Sequence, residues 1–259
     1  MTVLTASWLV LTVHLLQVLI VLAVLIPVGA YPLFQPLDCA DIYNQGSEAS
    51  GVYQIYPGGA TYPFYVYCDM DTEGGKWTVL QRRMDGTVNF FRGWEQYKRG
   101  FGQASGEYWL GLETIHLMML KKNYELRVDI EDFEGANVFA KYSSFSISPM
   151  AINAELDGYT LHVSGFTDGG AGDSLSYNNG AKFSTFDRDR DTHHSVNCAV
   201  NLGGGFWHYS CTNVNPNGIY TWGRDDSNGV FWWHWKSATY SLKAISMKMR
   251  PVSLVYSEE

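Results

Sequence analysis

Phe186-Asp187-Arg188-Asp189-Arg190-Asp191, followed by Thr192, His193, His194 and then Cys198, is the stretch on which the reading of this chain turns. Its three carboxylates fall at alternate positions, in a region without clear helical or strand periodicity. In an irregular loop that spacing can turn successive oxygens onto one hard cation. Calcium takes six to eight oxygens from carboxylates, main-chain carbonyls and water. An EF-hand counted from Asp187 would need Gly and Glu where Thr192 and Cys198 stand, so the stretch is not one. A solvated turn in which Arg188 and Arg190 pair locally is the competing reading. A zinc site can be drawn from His193, His194 and His208, but their spacing fits no common zinc pattern, and polar surface is the expectation.

Outward from this stretch, from Phe166 to about Ala238, Gly, Asn, Asp, Ser and Trp dominate. So long a loop-rich region needs fixings other than backbone ladders. Available are a cysteine pair, the Asp cluster, and Trp207, Trp222, Trp232 and Trp235. Regular patterns lie on either side. Trp77 to Arg83 reads as a strand with hydrophobic residues on alternate sides. Tyr124, Leu126, Val128 and Ile130 alternate with Glu125, Arg127 and Asp129, and Ile245, Met247 and Met249 repeat the alternation near the C-terminus. Two helices are expected between the first two strands. One holds Trp94 and Tyr97 and stops at Gly100; the other runs from about Glu107 to Lys121, interrupted by Gly111. Their aromatic residues are expected in the core.

The chain has 259 residues and a formal net charge of −8, which disfavours a nucleic-acid partner. Residues 1–30 read as a cleaved signal peptide: Trp8 to Ile26 is almost wholly apolar, and Val28-Gly29-Ala30 after Pro27 suits signal peptidase. An uncleaved anchor is the alternative, since the stretch nears the ~20 residues of a span. No Lys or Arg marks a cytoplasmic side, so no stable membrane span is expected. A short linker, 31–37, follows. The four cysteines, Cys39, Cys68, Cys198 and Cys211, fit an oxidising compartment and two bridges. Of three possible pairings, Cys39 with Cys68 and Cys198 with Cys211 closes the two most local loops. Each such bridge contributes ~3 kcal/mol. No cysteine remains for covalent linkage between chains, and no Asn-x-Ser/Thr sequon occurs.

Several motifs in order carry a family likeness: Gly106-Glu107-Tyr108-Trp109-Leu110-Gly111-Leu112, Gly169-Gly170-Ala171-Gly172-Asp173-Ser174, Phe183-Ser184-Thr185-Phe186-Asp187-Arg188-Asp189, Asn197-Cys198-Ala199, and Asn228-Gly229 with Trp232 and Trp235. Together they resemble the fibrinogen-related (fibrinogen C-terminal) domain, from roughly Leu37 to Pro251, giving a domain at 38–252 and a tail at 253–259. The resemblance implies an α+β globular fold. It comprises a disulfide-bonded N-terminal part, a central twisted antiparallel sheet with helices, and a loop-rich, calcium-binding C-terminal subdomain. A last strand, about Tyr240 to Pro251, would return into the central sheet. The resemblance also implies the neighbour disulfide pairing.

The implied calcium ligands are the carboxylates of Asp189 and Asp191 with the main-chain oxygens of His193 and Ser195, or of His194 and Val196 when counted back from Cys198. The implied ligand pocket centres on a cis Ser210–Cys211 peptide. There Thr212 replaces the family's His, Asp226-Ser227 a Tyr-Ala pair and Ala238 an aromatic. Such a lining suits a cationic or hydroxyl-rich ligand better than an acetyl group. No Arg-Gly-Asp tripeptide occurs.

The function expected is therefore secreted, calcium-dependent recognition or cell adhesion in the extracellular matrix, with elastic-fibre or collagen components as partners. The alternative is a ficolin-like lectin of innate immunity that reads glycans or acetylated groups on microbes. Either would gain from non-covalent homo-oligomerisation. An enzyme is not expected, since no metalloprotease, serine-hydrolase or phosphate-loop pattern occurs. Gly203-Gly204-Gly205 reads as a turn.

Overall fold

The structure is a computed structural model that describes residues 35–59 and 62–252. The expected signal peptide, most of the linker and the tail lie outside the described residues. The strands are β1 Gly51–Ile55, β2 Phe64–Asp69, β3 Trp77–Arg83, β4 Phe101–Gly102, β5 Tyr108–Trp109, β6 Tyr124–Glu131, β7 Asn137–Ile147, β8 Leu161–Gly169, β9 Val214–Asn215, β10 Phe231–Trp232 and β11 Ala244–Pro251. Nine of them form one sheet in the order β1-β2-β3-β11-β6-β7-β8, with β5 bound to β3 and β4 to β5; β9 and β10 form a separate pair. Every pairing between these strands is antiparallel.

β6 follows its sequence pattern: Tyr124, Leu126, Val128 and Ile130 are buried and their neighbours half-buried. The expected return of the C-terminal strand is present, with β11 seated between β3 and β6. The neighbour disulfides are also present, with Cα–Cα distances of 5.4 Å for Cys39–Cys68 and 5.5 Å for Cys198–Cys211. β3 departs from one-sided burial, because Trp77 to Gln81 are all buried. Its other face is covered too. The helix Cys39–Asn44 reaches it through Cys39 N–H to Thr78 Oγ1 at 3.0 Å. The carbonyl of Pro216 accepts from Gln81 Nε2 at 2.9 Å.

The first expected helix is Trp94–Arg99, closed by Gly100 at φ +95°. The second is shorter than expected, Leu112–Met119. Tyr108 and Trp109 belong to a strand, and Gly111 breaks any helix there with φ +104°. A Cβ at Gly111 would lie 2.7 Å from the Arg99 carbonyl carbon, so the chain passes against the preceding helix before the next begins. The aromatic residues of the first helix are core, as expected: Trp94 and Tyr97 are buried.

Residues 170–243 hold only β9, β10 and very short helices. They rest on an aromatic cluster in which Phe183 meets Trp207 at 5.2 Å, Trp109 at 5.7 Å and Tyr97 at 5.1 Å between ring centroids. Trp207 and Trp232 are buried and donate their indole N–H groups to the carbonyls of Tyr159 and Gly172. Trp222, expected among these fixings, is 62% exposed because its turn places it edge-on against Tyr220 at the surface. Trp235 is half-buried. Among the described residues no helix is long and apolar enough to cross a membrane.

β11 carries a buried charge. Lys248 Nζ lies 2.5 Å from Asp69 Oδ2 and also binds Asp129 Oδ2. Burial alone would raise the Asp69 carboxyl, but hydrogen bonds from Lys248 and Thr72 and the lysine's charge outweigh it and hold the carboxyl down at about 2. A depressed carboxylate stabilises the fold above its unfolded pKa and ceases to as pH falls through its folded value. That stabilisation is about 2 kcal/mol and disappears between about pH 4 and pH 2. Urea unfolding across this window is expected to show Asp69→Asn losing less stability than wild type by about that amount. Equal losses would remove Asp69 as the titrating group.

Candidate functional site

The Asp-rich loop is held at both ends before any ligand is considered. Ser184 exchanges main-chain hydrogen bonds with Phe206, and Thr185 does so with Arg188, closing a tight turn over Phe186 and Asp187. Alternation then sends successive side chains to opposite sides. Arg188 and Arg190 both lie on the Trp94 ring, 4.4 and 5.0 Å from its centroid. Arg188 Nη1 also donates to Glu155 Oε1 at 2.9 Å. Lys98 at 2.5 Å, with Arg188, holds the Glu155 carboxyl at about 2.

The three aspartates divide by role. Asp187 Oδ1 accepts the main-chain N–H of Trp94 at 2.8 Å and the Thr185 hydroxyl at 2.6 Å. A Cβ on Gly93 would meet Asp187 Oδ2 at 2.5 Å, so only glycine lets the carboxylate approach. Asp187 thus caps the helix Trp94–Arg99 from 93 residues away. Asp189 and Asp191 face one another instead. The Asp191 N–H donates to Asp189 Oδ1 at 3.2 Å, while Asp191 Oδ1 and Oδ2 accept from His193 N and Cys198 N, both at 2.8 Å. Desolvation and then the neighbouring Asp191 charge push the Asp189 carboxyl above its usual range.

Among the described residues no donor meets the main-chain oxygens of His193, His194, Ser195 or Val196. No three acidic, His or Cys side chains among the described residues converge as a metal cage. What the loop offers a cation is therefore two carboxylates and neutral main-chain oxygens, a donor set suited to calcium. His208 lies close enough to feel the Asp189 charge, but among the described residues no histidine ring completes a cage with the two aspartates. His193 Nδ1 takes a 3.4 Å contact from Ser195 N. His208 is wholly buried with Nε2 on Gly204 O at 3.0 Å, and burial pulls its pKa down to about 4.

The loop is joined to the second cysteine of its bridge. Thr192 N–H donates to Tyr209 O at 3.0 Å, and the Ser210–Cys211 peptide is cis. Tyr177 Oη donates to Ser210 O at 3.3 Å and meets Tyr209 edge-on, with ring centroids 5.7 Å apart. Thr212 Oγ1 is committed to the fold, accepting from Asn178 Nδ2 at 2.8 Å and donating to Val214 O at 2.7 Å. Asp226 Oδ1 accepts from Asn228 N at 2.9 Å, and no hydrogen bond joins Thr212 to Asp226 or Ser227.

Tyr177, Asn178 and Tyr209 were not picked out by the sequence motifs. Tyr209, two residues before Cys211, was the available signal; Tyr177 and Asn178 reach the bridge only through the fold. A cleft of about 500 Å³ lined by Val52, Phe64, Tyr65 and Phe101 lies elsewhere, and Arg99 is its sole charged lining residue.

Comparison with known proteins agrees with this geometry. Residues 35–252 match the family described as fibrinogen beta and gamma chains, C-terminal globular domain. Microfibril-associated glycoprotein 4 of Homo sapiens is 60% identical over 220 residues, covering 84% of this chain and 86% of that protein. Fibrinogen C domain-containing protein 1 of Homo sapiens is 46% identical over 228 residues, covering 87% of this chain and 49% of that protein. The fibrinogen-like globe domain of human ANGPTL6 superposes with a TM-score of 0.79 at 41% identity, covering 86% of this chain and 100% of that one. Lamprey fibrin D-dimer, solved with the peptide ligand Gly-His-Arg-Pro-amide, gives 0.75 at 31% identity, covering 99% of this chain and 90% of that one. Fold, motif order and relatives agree, and the chain belongs to the fibrinogen C-terminal domain family.

Proposed function

We propose that this chain is a secreted recognition and adhesion protein of the extracellular matrix that uses calcium to order its binding loops, and that it binds rather than catalyses. One observation carries the reading. Asp189 and Asp191 are drawn together in a loop whose neighbouring main-chain oxygens meet no donor among the described residues, and that loop is bonded to the cis Ser210–Cys211 segment. Asp189, Asp191 and the main-chain oxygens of His193 and Ser195 would hold the ion; His194 and Val196 are the other pair of oxygens in reach of the same loop. Calcium supplies positive charge where two carboxylates meet.

We place the recognition surface on the segment Tyr209 to Thr212 with Tyr177 beside it, and extend it to the turn that carries Asp226 and Ser227. Thr212 is committed to internal hydrogen bonds, and with Asp226 and Ser227 it offers a polar lining. That favours a cationic or hydroxyl-rich ligand over an acetyl group. Likeness to proteins named for association with microfibrils favours matrix components as partners. All four cysteines are paired within the chain, so self-association would be non-covalent.

Calcium at a hundredfold excess over its dissociation constant is expected to raise stability by ~2.7 kcal/mol. Asp189→Ala with Asp191→Ala is expected to abolish that shift in a thermal melt. A double variant that still gains the full shift would place the ion elsewhere. Asp187→Ala is expected to lower stability by about 1 kcal/mol with chelator present, through loss of the helix cap, while retaining a calcium-induced shift. An unchanged chelated melt would show that the cap contributes nothing.

A further inference from the structure

Met150, Ile152 and Leu156 are the three most exposed large apolar residues in the described chain, at 94%, 107% and 75%. All three fall within residues 150–156, on one loop and the first turn after it. Soluble surfaces carry scattered apolar side chains, but a concentration of fully exposed ones marks a contact surface. The loop is also built, since its base is fixed. Ser148 is buried; its Oγ donates to Asp157 Oδ2 at 2.6 Å and accepts from Thr160 N at 2.8 Å. Ala151 N–H closes a turn onto Ser148 O, and Asn153 Oδ1 caps Leu156 N–H at 3.0 Å. The apolar side chains are thus presented by a tied loop.

The charge around this base has the opposite sign to that of the molecule. Glu155 is shared between Lys98 and Arg188, and Asp157, which accepts from the Ser148 hydroxyl, attracts Lys182 and Arg190, so two carboxylates face four cations here. Lys182 and Arg190 have no ion-pair partner among the described residues, and Arg190 Nη1 donates only to Leu156 O, at 3.2 Å. Both cations stand at Gly158, just past the loop, where an added Cβ would meet Arg190 Nη1 at 2.8 Å and Lys182 Cβ at 2.9 Å. Asp189 and Asp191, the acidic neighbours of Arg190, turn to each other. An apolar tip beside a local excess of cations, on a chain of net charge −8, complements a surface that is apolar within and anionic at its boundary.

We propose that residues 149–156 form a finger that inserts into a lipid surface, with Met150, Ile152 and Leu156 entering the acyl boundary and Lys182 and Arg190 holding anionic phospholipid headgroups. This site is independent of the calcium reading.

Cosedimentation of the whole secreted protein tests it, using phosphatidylcholine vesicles with and without phosphatidylserine, in calcium and in chelator. Wild type is expected to bind the phosphatidylserine vesicles about thirtyfold more tightly in both buffers, from two headgroup contacts. Met150→Ser with Ile152→Ser and Leu156→Ser is expected to lose binding, and Lys182→Glu to lose the preference for phosphatidylserine. The substituted apolar side chains are exposed, so the melting temperature should hold; Ile152→Ser alone serves if the triple variant fails to fold. No wild-type binding, unchanged binding by the serine variant, or binding abolished by chelator would each overturn the finger. So would gel filtration showing that wild type self-associates without lipid and the serine variant does not, since the tip would then cover a second copy.

Discussion

The fold depends on the seating of β11 between β3 and β6. A strand in the middle of a sheet cannot be added at an edge, so its two neighbours, from before and after the helices, must leave a gap that the C-terminus fills. Everything between Gly169, the end of β8, and Ala244, the start of β11, is therefore an excursion with both ends anchored in one sheet. Loop-closure entropy grows only slowly with length, so a long excursion is tolerated once its ends are fixed. The register is marked by charge as well as by apolar alternation. Lys248, buried inside β11, finds Asp69 and Asp129 only if the strand sits where it does. Removing either side would leave a buried charge without a partner, which costs more than the pair itself contributes.

In the segments between strands, carboxylates take the place of strand ladders. Glu107 is buried against Arg83, and its two oxygens accept from the main-chain N–H groups of Met84, Asp85, Gly86 and Val88. Asp168 does the same for Gly170 and Gly172, and Asp187 for Trp94. Buried main-chain donors must find acceptors, and in segments without regular structure acidic side chains supply them. The net charge of −8 is consequently no measure of a free acidic surface, because part of it is committed to holding loops rigid.

How far the sequence reached depended on whether a residue's role was set by its neighbours in the chain or by distant ones. The alternations of β6 and β11 were legible, since period-two burial is a local pattern, whereas the return of β11 into the central sheet came from the family resemblance. The shortened second helix was signalled only by Gly111; its real cause is close passage against Arg99, a contact between separate turns of chain. β3 read as one-sided because the helix and loop covering its other face come from far away in sequence. Trp222 read as a fixing from composition alone, and composition does not say which side of a turn an indole leaves. The same holds for the aspartates: the spacing 187, 189, 191 is uniform, yet Asp187 serves a helix that begins at Trp94. Only the family resemblance set Asp189 and Asp191 apart.

The alternation of Asp and Arg in this loop then acquires a physical reason. An extended segment sends successive side chains to opposite sides, so a strict alternation of charge can present cations on one side and carboxylates on the other. The cationic side is laid on Trp94 and tied to Glu155 and to the carbonyl of Leu156. The acidic side is left with two carboxylates in mutual repulsion. The attachment that positions Arg188 and Arg190 is what keeps Asp189 and Asp191 from separating to relieve that repulsion. A cation would relieve it without movement of the loop. A loop built from acidic residues alone would have no such attachment and would spread; one with randomly placed charges could not face two ways. The six residues Phe186 to Asp191 thus couple three parts of the surface: the cap on the Trp94 helix, the proposed ion site, and the base of the exposed 149–156 loop.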